Sequence, residues 1–155
     1  MVSSETRRRV RQRAKYRCEY CHSPEFLSPD RFTLDHILPQ SLGGSDDLEN
    51  LALACHRCNS HRYNFTVGID PQTQAEVALF NPRTQQWGEH FIWSVDGLTI
   101  IGTTDIGRAT CDRFNLNDKG YELNESILQP RRFWLQAGWH PPADDPRQTN
   151  NKLPT

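Results

Sequence analysis

The 155 residues, 35% hydrophobic and 24% charged, suit one globular core or two small fused modules and exclude a disordered or fibrous chain. There is no apolar run of about 18 residues or more, and no apolar stretch follows the basic N-terminus, so neither a membrane span nor a secretory leader is expected and a cytoplasmic protein without a membrane partner follows. The net charge of −1 hides an asymmetry, because residues 1–17 hold Arg7, Arg8, Arg9, Arg11, Arg13, Lys15 and Arg17 against Glu5 alone, leaving an acidic body.

In chain order, residues 1–17 read as a basic helix, capped by Ser4, running to about Tyr16, with Val10 and Ala14 as its apolar stripe. Its cations suit local binding of phosphate, which makes Arg7, Arg8, Arg9, Arg11 and Arg13 candidate nucleic-acid contacts; the plainer reading is a solvated helix. Residues 22–30 carry Pro24 and Pro29 and read as a loop. Arg31–Ile37 alternates as a strand, with Phe32, Leu34 and His36 on one face. Pro39 and the Gly43-Gly44 pair force an irregular connection to a second strand, Leu48–Ala54, and a helix from Cys55 to about Phe65.

Beyond Thr66 the composition changes. Strands are expected at Ala75–Phe80, Glu89–Ser94 and Leu98–Thr103, with Asp96-Gly97 turning the last two into a hairpin. Helices are expected at Asp105–Phe114 and Asn124–Ala137, the latter with Pro130 kinking it or marking its first turn. Residues 67–139 thus form a small α+β region of short antiparallel strands plus two helices. Residues 140–155 read as a tail without core signal.

Five cysteines and no leader argue against a disulfide framework. Cys18-x2-Cys21 and Cys55-x2-Cys58 instead form two knuckles that together supply four thiolates to one tetrahedral Zn²⁺, a closed and therefore structural site. Cys111 is left over as a small core residue.

The run "CEYC … LDHILPQSLGGSDDLENLALACHRCNSHR" resembles the HNH endonuclease family, in the branch with two zinc-binding Cys pairs. The resemblance covers about residues 16–62. It implies a ββα-metal nuclease module over residues 18–66, within an overall α+β chain, and metal-dependent hydrolysis of phosphodiesters, with DNA as the expected partner. Carried over by position, it makes His36 the general base, Asp35 and Asn59 the ligands of a divalent ion, Asn50 the brace of the intervening loop, and Arg62 the closing basic residue that meets nucleic acid. An Asp/Asn oxygen pair suits Mg²⁺ or Mn²⁺. His56 and His61 flank the same helix and read as solvated.

Two other readings compete. A zinc-stabilised nucleic-acid-binding module without catalysis needs the cysteines and arginines but not Asp35, His36, Asn50 and Asn59 together. A protein-interaction module would use Trp87, Trp93 and Trp134, and the C-terminal region would then pack on the nuclease module or mediate a homodimer.

Overall fold

The first helix, α1 (Ser4–Arg13), is capped by Ser3, whose Oγ accepts from the Thr6 N–H at 3.1 Å. It stops short of Tyr16 because Lys15 and Tyr16 turn to positive φ, 55° and 57°. Val10 is its one buried residue. Polar bonds do much of the holding: Arg11 pairs with Glu25 at 3.1 Å and donates to the Phe32 carbonyl at 2.9 Å. Arg13 donates to the carbonyls of Leu48 and Leu51 at 2.9 and 2.7 Å. The computed structural model describes residues 2–120 and 126–149.

The central unit is a hairpin followed by a helix. β1 (Thr33–His36) runs antiparallel to β2 (Leu51–Ala54), with Leu34 opposite Leu53, Asp35 opposite Ala52 and His36 opposite Leu51. All four residues of β2 are buried. The expected strand start at Leu48 is instead a 3₁₀ turn, Leu48–Asn50, which carries Asn50 out of the ladder and frees its side chain for the loop. α2 (His56–Arg62) begins on Cys55, whose Sγ accepts from the Cys58 N–H at 3.4 Å. It ends before Phe65 because Tyr63 adopts φ 51°.

Among the described residues the C-terminal half supplies two more hairpins and three helices. β3 (Val67–Ile69) pairs with β4 (Glu76–Ala78). A short helix α3 (Trp87–His90) replaces the first part of the expected Glu89–Ser94 strand and leads into β5 (Phe91–Trp93), which pairs with β6 (Ile100–Gly102). The turn between them closes at Gly97, φ 74°, with Ser94 N–H on the Thr99 carbonyl at 2.8 Å. α4 (Asp105–Arg113) is capped by Thr104, whose Oγ1 accepts from the Gly107 N–H at 3.0 Å. α5 spans Leu128–Gln136 with Pro130 in its first turn, where a missing N–H costs nothing. The expected start of this helix at Asn124 lies outside the described residues.

One hydrophobic core runs through both halves, from Val10, Tyr20, Leu51 and Leu53 to Trp87, Phe91, Trp93 and Phe114. Tyr20 stacks on Phe114 with centroids 4.6 Å apart, and Trp87 Nε1 donates to the Tyr20 carbonyl at 3.0 Å. The sequence boundary near residue 66 is therefore not a boundary in packing. Trp87 and Trp93, read as candidate interaction aromatics, are core residues, whereas Phe133 and Trp139 are exposed.

Residues 140–149, read as a tail without core signal, form a strap. Trp93 N–H donates to the Pro146 carbonyl at 3.0 Å and Gln148 N–H to the Trp93 carbonyl at 2.9 Å. Asp145 accepts from Trp93 Nε1 at 2.9 Å and meets His22 Nδ1 at 2.6 Å. His140 is buried with Nε2 against the Gly97 carbonyl at 2.8 Å. Polar bonds to a buried indole hold this segment, so its hydropathy carried no sign of it. Among the described residues, no helix is long and apolar enough to cross a membrane.

Candidate active site

The cysteine knuckles meet as their spacing requires. The sulfurs of Cys18, Cys21, Cys55 and Cys58 all lie within 4.8 Å of one another, with Cys21 and Cys55 3.7 Å apart. Tetrahedral Zn–S bonds of about 2.3 Å place sulfurs about 3.8 Å apart, so the donor set and its spacing fit a structural Zn²⁺. Cys18, Cys21 and Cys58 are buried and Cys55 half-buried, leaving no fourth position for solvent chemistry. Cys111 stands apart, partly buried beside the Ile100 carbonyl, and burial pushes its thiol up to about 12.

The knuckles bring β1 back beside α2, and a cleft of about 470 Å³ opens between them. Asp35 and His36 from β1, Asn59 from α2 and Tyr63 just beyond it all line this cleft. His56 and His61 do not; His61 faces another cleft with Phe65 and Arg113.

Asp35 is 5% exposed. Its Oδ2 accepts from the Tyr20 hydroxyl at 2.7 Å and from Arg62 Nη1. Burial pushes its carboxyl up, while the Arg62 guanidinium and the Tyr20 hydroxyl oppose that shift. Among the described residues no hydrogen bond reaches Oδ1 of Asp35 or the side chain of Asn59. Asp35 and Asn59 thus both bring oxygen-bearing side chains to the lining of one cleft, and oxygen donors suit hard cations such as Mg²⁺ or Mn²⁺.

Arg62, expected to meet nucleic acid, is turned inward. It is 4% exposed and donates to Asp35 and to the His36 carbonyl at 3.0 Å, as well as to the Ile37 carbonyl. Its fork ties the end of α2 to the end of β1, and no face is left for phosphate.

Asn50 does not line the cleft. Its amide clamps the loop that follows β1: Oδ1 accepts from Leu38 N–H at 2.8 Å, and Nδ2 donates to the Leu38 and Ser45 carbonyls at 3.0 and 2.8 Å. Gly44 makes room for this clamp, since a Cβ there would sit 1.7 Å from the Leu38 carbonyl oxygen and 2.9 Å from Asn50 Nδ2. His36 Nε2 lies 2.7 Å from Asp46 Oδ1.

Of the basic helix, Arg7, Arg8 and Arg9 are exposed, Arg8 in a solvent-facing pair with Glu5 at 2.6 Å. Arg11 and Arg13 are committed to the protein's own carboxylate and carbonyls, as described above.

The HNH endonuclease family model matches residues 18–65. Residues 18–65 form an HNH endonuclease domain. Over 119 residues the chain is 43% identical to the CRISPR-associated endonuclease Cas9 of Corynebacterium diphtheriae; that alignment covers 76% of this chain and 11% of that protein. No solved structure matches the chain. The match to the relative extends well past the HNH domain, in keeping with a core shared by both halves. Sequence reasoning missed Tyr20, Asp46 and Tyr63. Tyr20 lies inside the first knuckle, where an aromatic reads as filler, and Asp46 sits in a Ser-Asp-Asp run that reads as a turn.

Proposed function

We propose that the chain is a metal-dependent endonuclease that hydrolyses phosphodiester bonds in DNA, with His36 as general base. The observation that carries this reading is the cleft in which His36, Asp35 and Asn59 converge although they come from two elements. A neutral imidazole takes a proton from water near pH 7, and positioned general bases contribute about 10²–10⁴-fold. Asp35 and Asn59 hold the divalent ion, which supplies neutralisation of the phosphate and stabilisation of the leaving oxygen when bound. Arg62 keeps Asp35 in place from behind. Arg7 and Arg9 add sequence-independent attraction for the phosphate backbone.

Nicking of supercoiled plasmid with Mg²⁺ or Mn²⁺ tests the proposal. Wild type nicks and His36→Ala loses at least about 10²-fold, with zinc content unchanged. DNA binding without cleavage in any of these ions would favour a zinc-stabilised binding module.

A further inference from the structure

The loop between β1 and β2 reaches back to the proposed base at one point, the 2.7 Å contact of His36 Nε2 with Asp46 Oδ1. An ionised carboxylate only accepts, so the hydrogen in this contact belongs to the imidazole. Neutral His36 then carries its proton on Nε2 and its lone pair on Nδ1. Among the described residues no hydrogen bond occupies Nδ1.

We infer that Asp46 is a positioning residue that fixes the orientation and tautomer of His36, so that Nδ1 is the atom that takes the proton from the attacking water. The inference rests on His36 being the general base. As the water O–H bond breaks, its proton goes to Nδ1 and its oxygen bonds to phosphorus. The bond from phosphorus to the leaving oxygen breaks, and that oxygen takes a proton from solvent. The imidazolium so formed keeps Nε2–H on the Asp46 carboxylate, which stabilises the new charge.

The placement of Asp46 is itself built. Gln40 Nε2 donates to the same Oδ1 at 3.2 Å. Ser45, its chain neighbour, is held through its carbonyl by Asn50 Nδ2 at 2.8 Å, and Gly44 N–H is bonded to the Pro39 carbonyl at 3.0 Å. Asn50 therefore acts on His36 through the loop and Asp46, without touching the imidazole. The hydrogen bond from His36 also holds the Asp46 carboxyl below the usual carboxylate range, so it is ionised wherever the imidazole is neutral. Asp46 is 35% exposed, and its pair with His36, so open to water, adds little to folding.

The experiment uses the full chain with Asp46→Ala, Asp46→Asn and Asp46→Glu, reading plasmid nicking with Mn²⁺ and the ¹⁵N shifts of the His36 imidazole. Ala and Asn lower kcat by about 10–100-fold, the scale of lost orienting partners, while KM, zinc content and the unfolding midpoint hold. Glu restores most of the rate. In a His36→Ala background Asp46→Ala has no further effect. Wild type shows a neutral imidazole protonated at Nε2, and Asp46→Ala shows a mixture of tautomers. A wild-type kcat and a wild-type tautomer in Asp46→Ala would overturn the inference. Should wild type and His36→Ala cut alike, the base assignment falls and takes the catalytic half of the inference with it; the tautomer measurement then still decides the contact by itself.

Discussion

Arg62 Nη1 donates to Asp35 Oδ2 behind the candidate site, with 4% and 6% of the two side chains exposed. Removing one partner of such a pair leaves a buried charge uncompensated, a loss of about 3–5 kcal/mol. Arg62→Ala therefore strongly lowers the urea midpoint. Arg62→Lys does not restore it, because one ammonium cannot span Asp35 and the carbonyls of His36 and Ile37. A lysine variant as stable as wild type but weak in DNA binding would return Arg62 to a phosphate role.

The zinc cluster predicts a different failure. Cys55 supplies a sulfur and the cap of α2. Cys55→Ser, or prolonged chelation, removes about 10 kcal/mol or more of metal-linked folding energy. Far-UV circular dichroism and bound zinc should fall together, with Cys111→Ser as the control that changes neither.

Gly44→Ala tests the loop clamp. A methyl group 1.7 Å from the Leu38 carbonyl oxygen forces the backbone apart beside Asn50. Overpacking of this kind costs about 1–3 kcal/mol. The expected result is a nicking rate reduced at least as much as in Asp46→Ala, with zinc retained.

The basic helix divides into two functions, and salt separates them. Arg7→Ala with Arg9→Ala should flatten the dependence of log K on log salt by up to about 0.9 per lost phosphate contact. Arg11→Ala and Arg13→Ala should instead lower stability, because they release Glu25 and three backbone carbonyls. An unchanged slope in the Arg7/Arg9 variant would remove this helix from the DNA interface.

Asp70 gives a pH signature far from the cleft. It takes both prongs of Arg108, at 3.0 and 2.8 Å, tying the β3–β4 turn to α4. The Arg108 hydrogen bonds hold its carboxyl down to about 2. A depressed carboxyl stabilises the fold above its unfolded value near 3.9 and stops doing so as pH falls through the folded one. Asp70→Asn should be less stable than wild type at pH 7, and the two unfolding curves should converge between about pH 4 and 2.

The two knuckles were legible because ligand spacing is local: four thiols at fixed offsets have few uses. Arg62 was not. Its inward turn depends on Tyr20 and Asp35, which are 42 and 27 residues away. β3 was missed because Gly68 is the buried residue of that strand while Val67 and Ile69 face out, the reverse of the pattern that marks a strand. The strap escaped because Asp145 and Pro146 bind through single polar groups to a tryptophan that hydropathy had already assigned elsewhere. Asp46 escaped because adjacent aspartates in a turn are equivalent on paper, and only the fold chooses the one facing His36.

The strap ties the last described residues to the first cysteine knuckle. Lys15 and Arg17 meet Asp144 at 3.6 and 3.3 Å, and His22 meets Asp145. The far end of the described chain is thereby fastened beside the first cysteine knuckle. Because Asp144 and Asp145 bind on either side of Cys18 and Cys21, loosening the strap would also loosen the turn that presents the first two sulfurs.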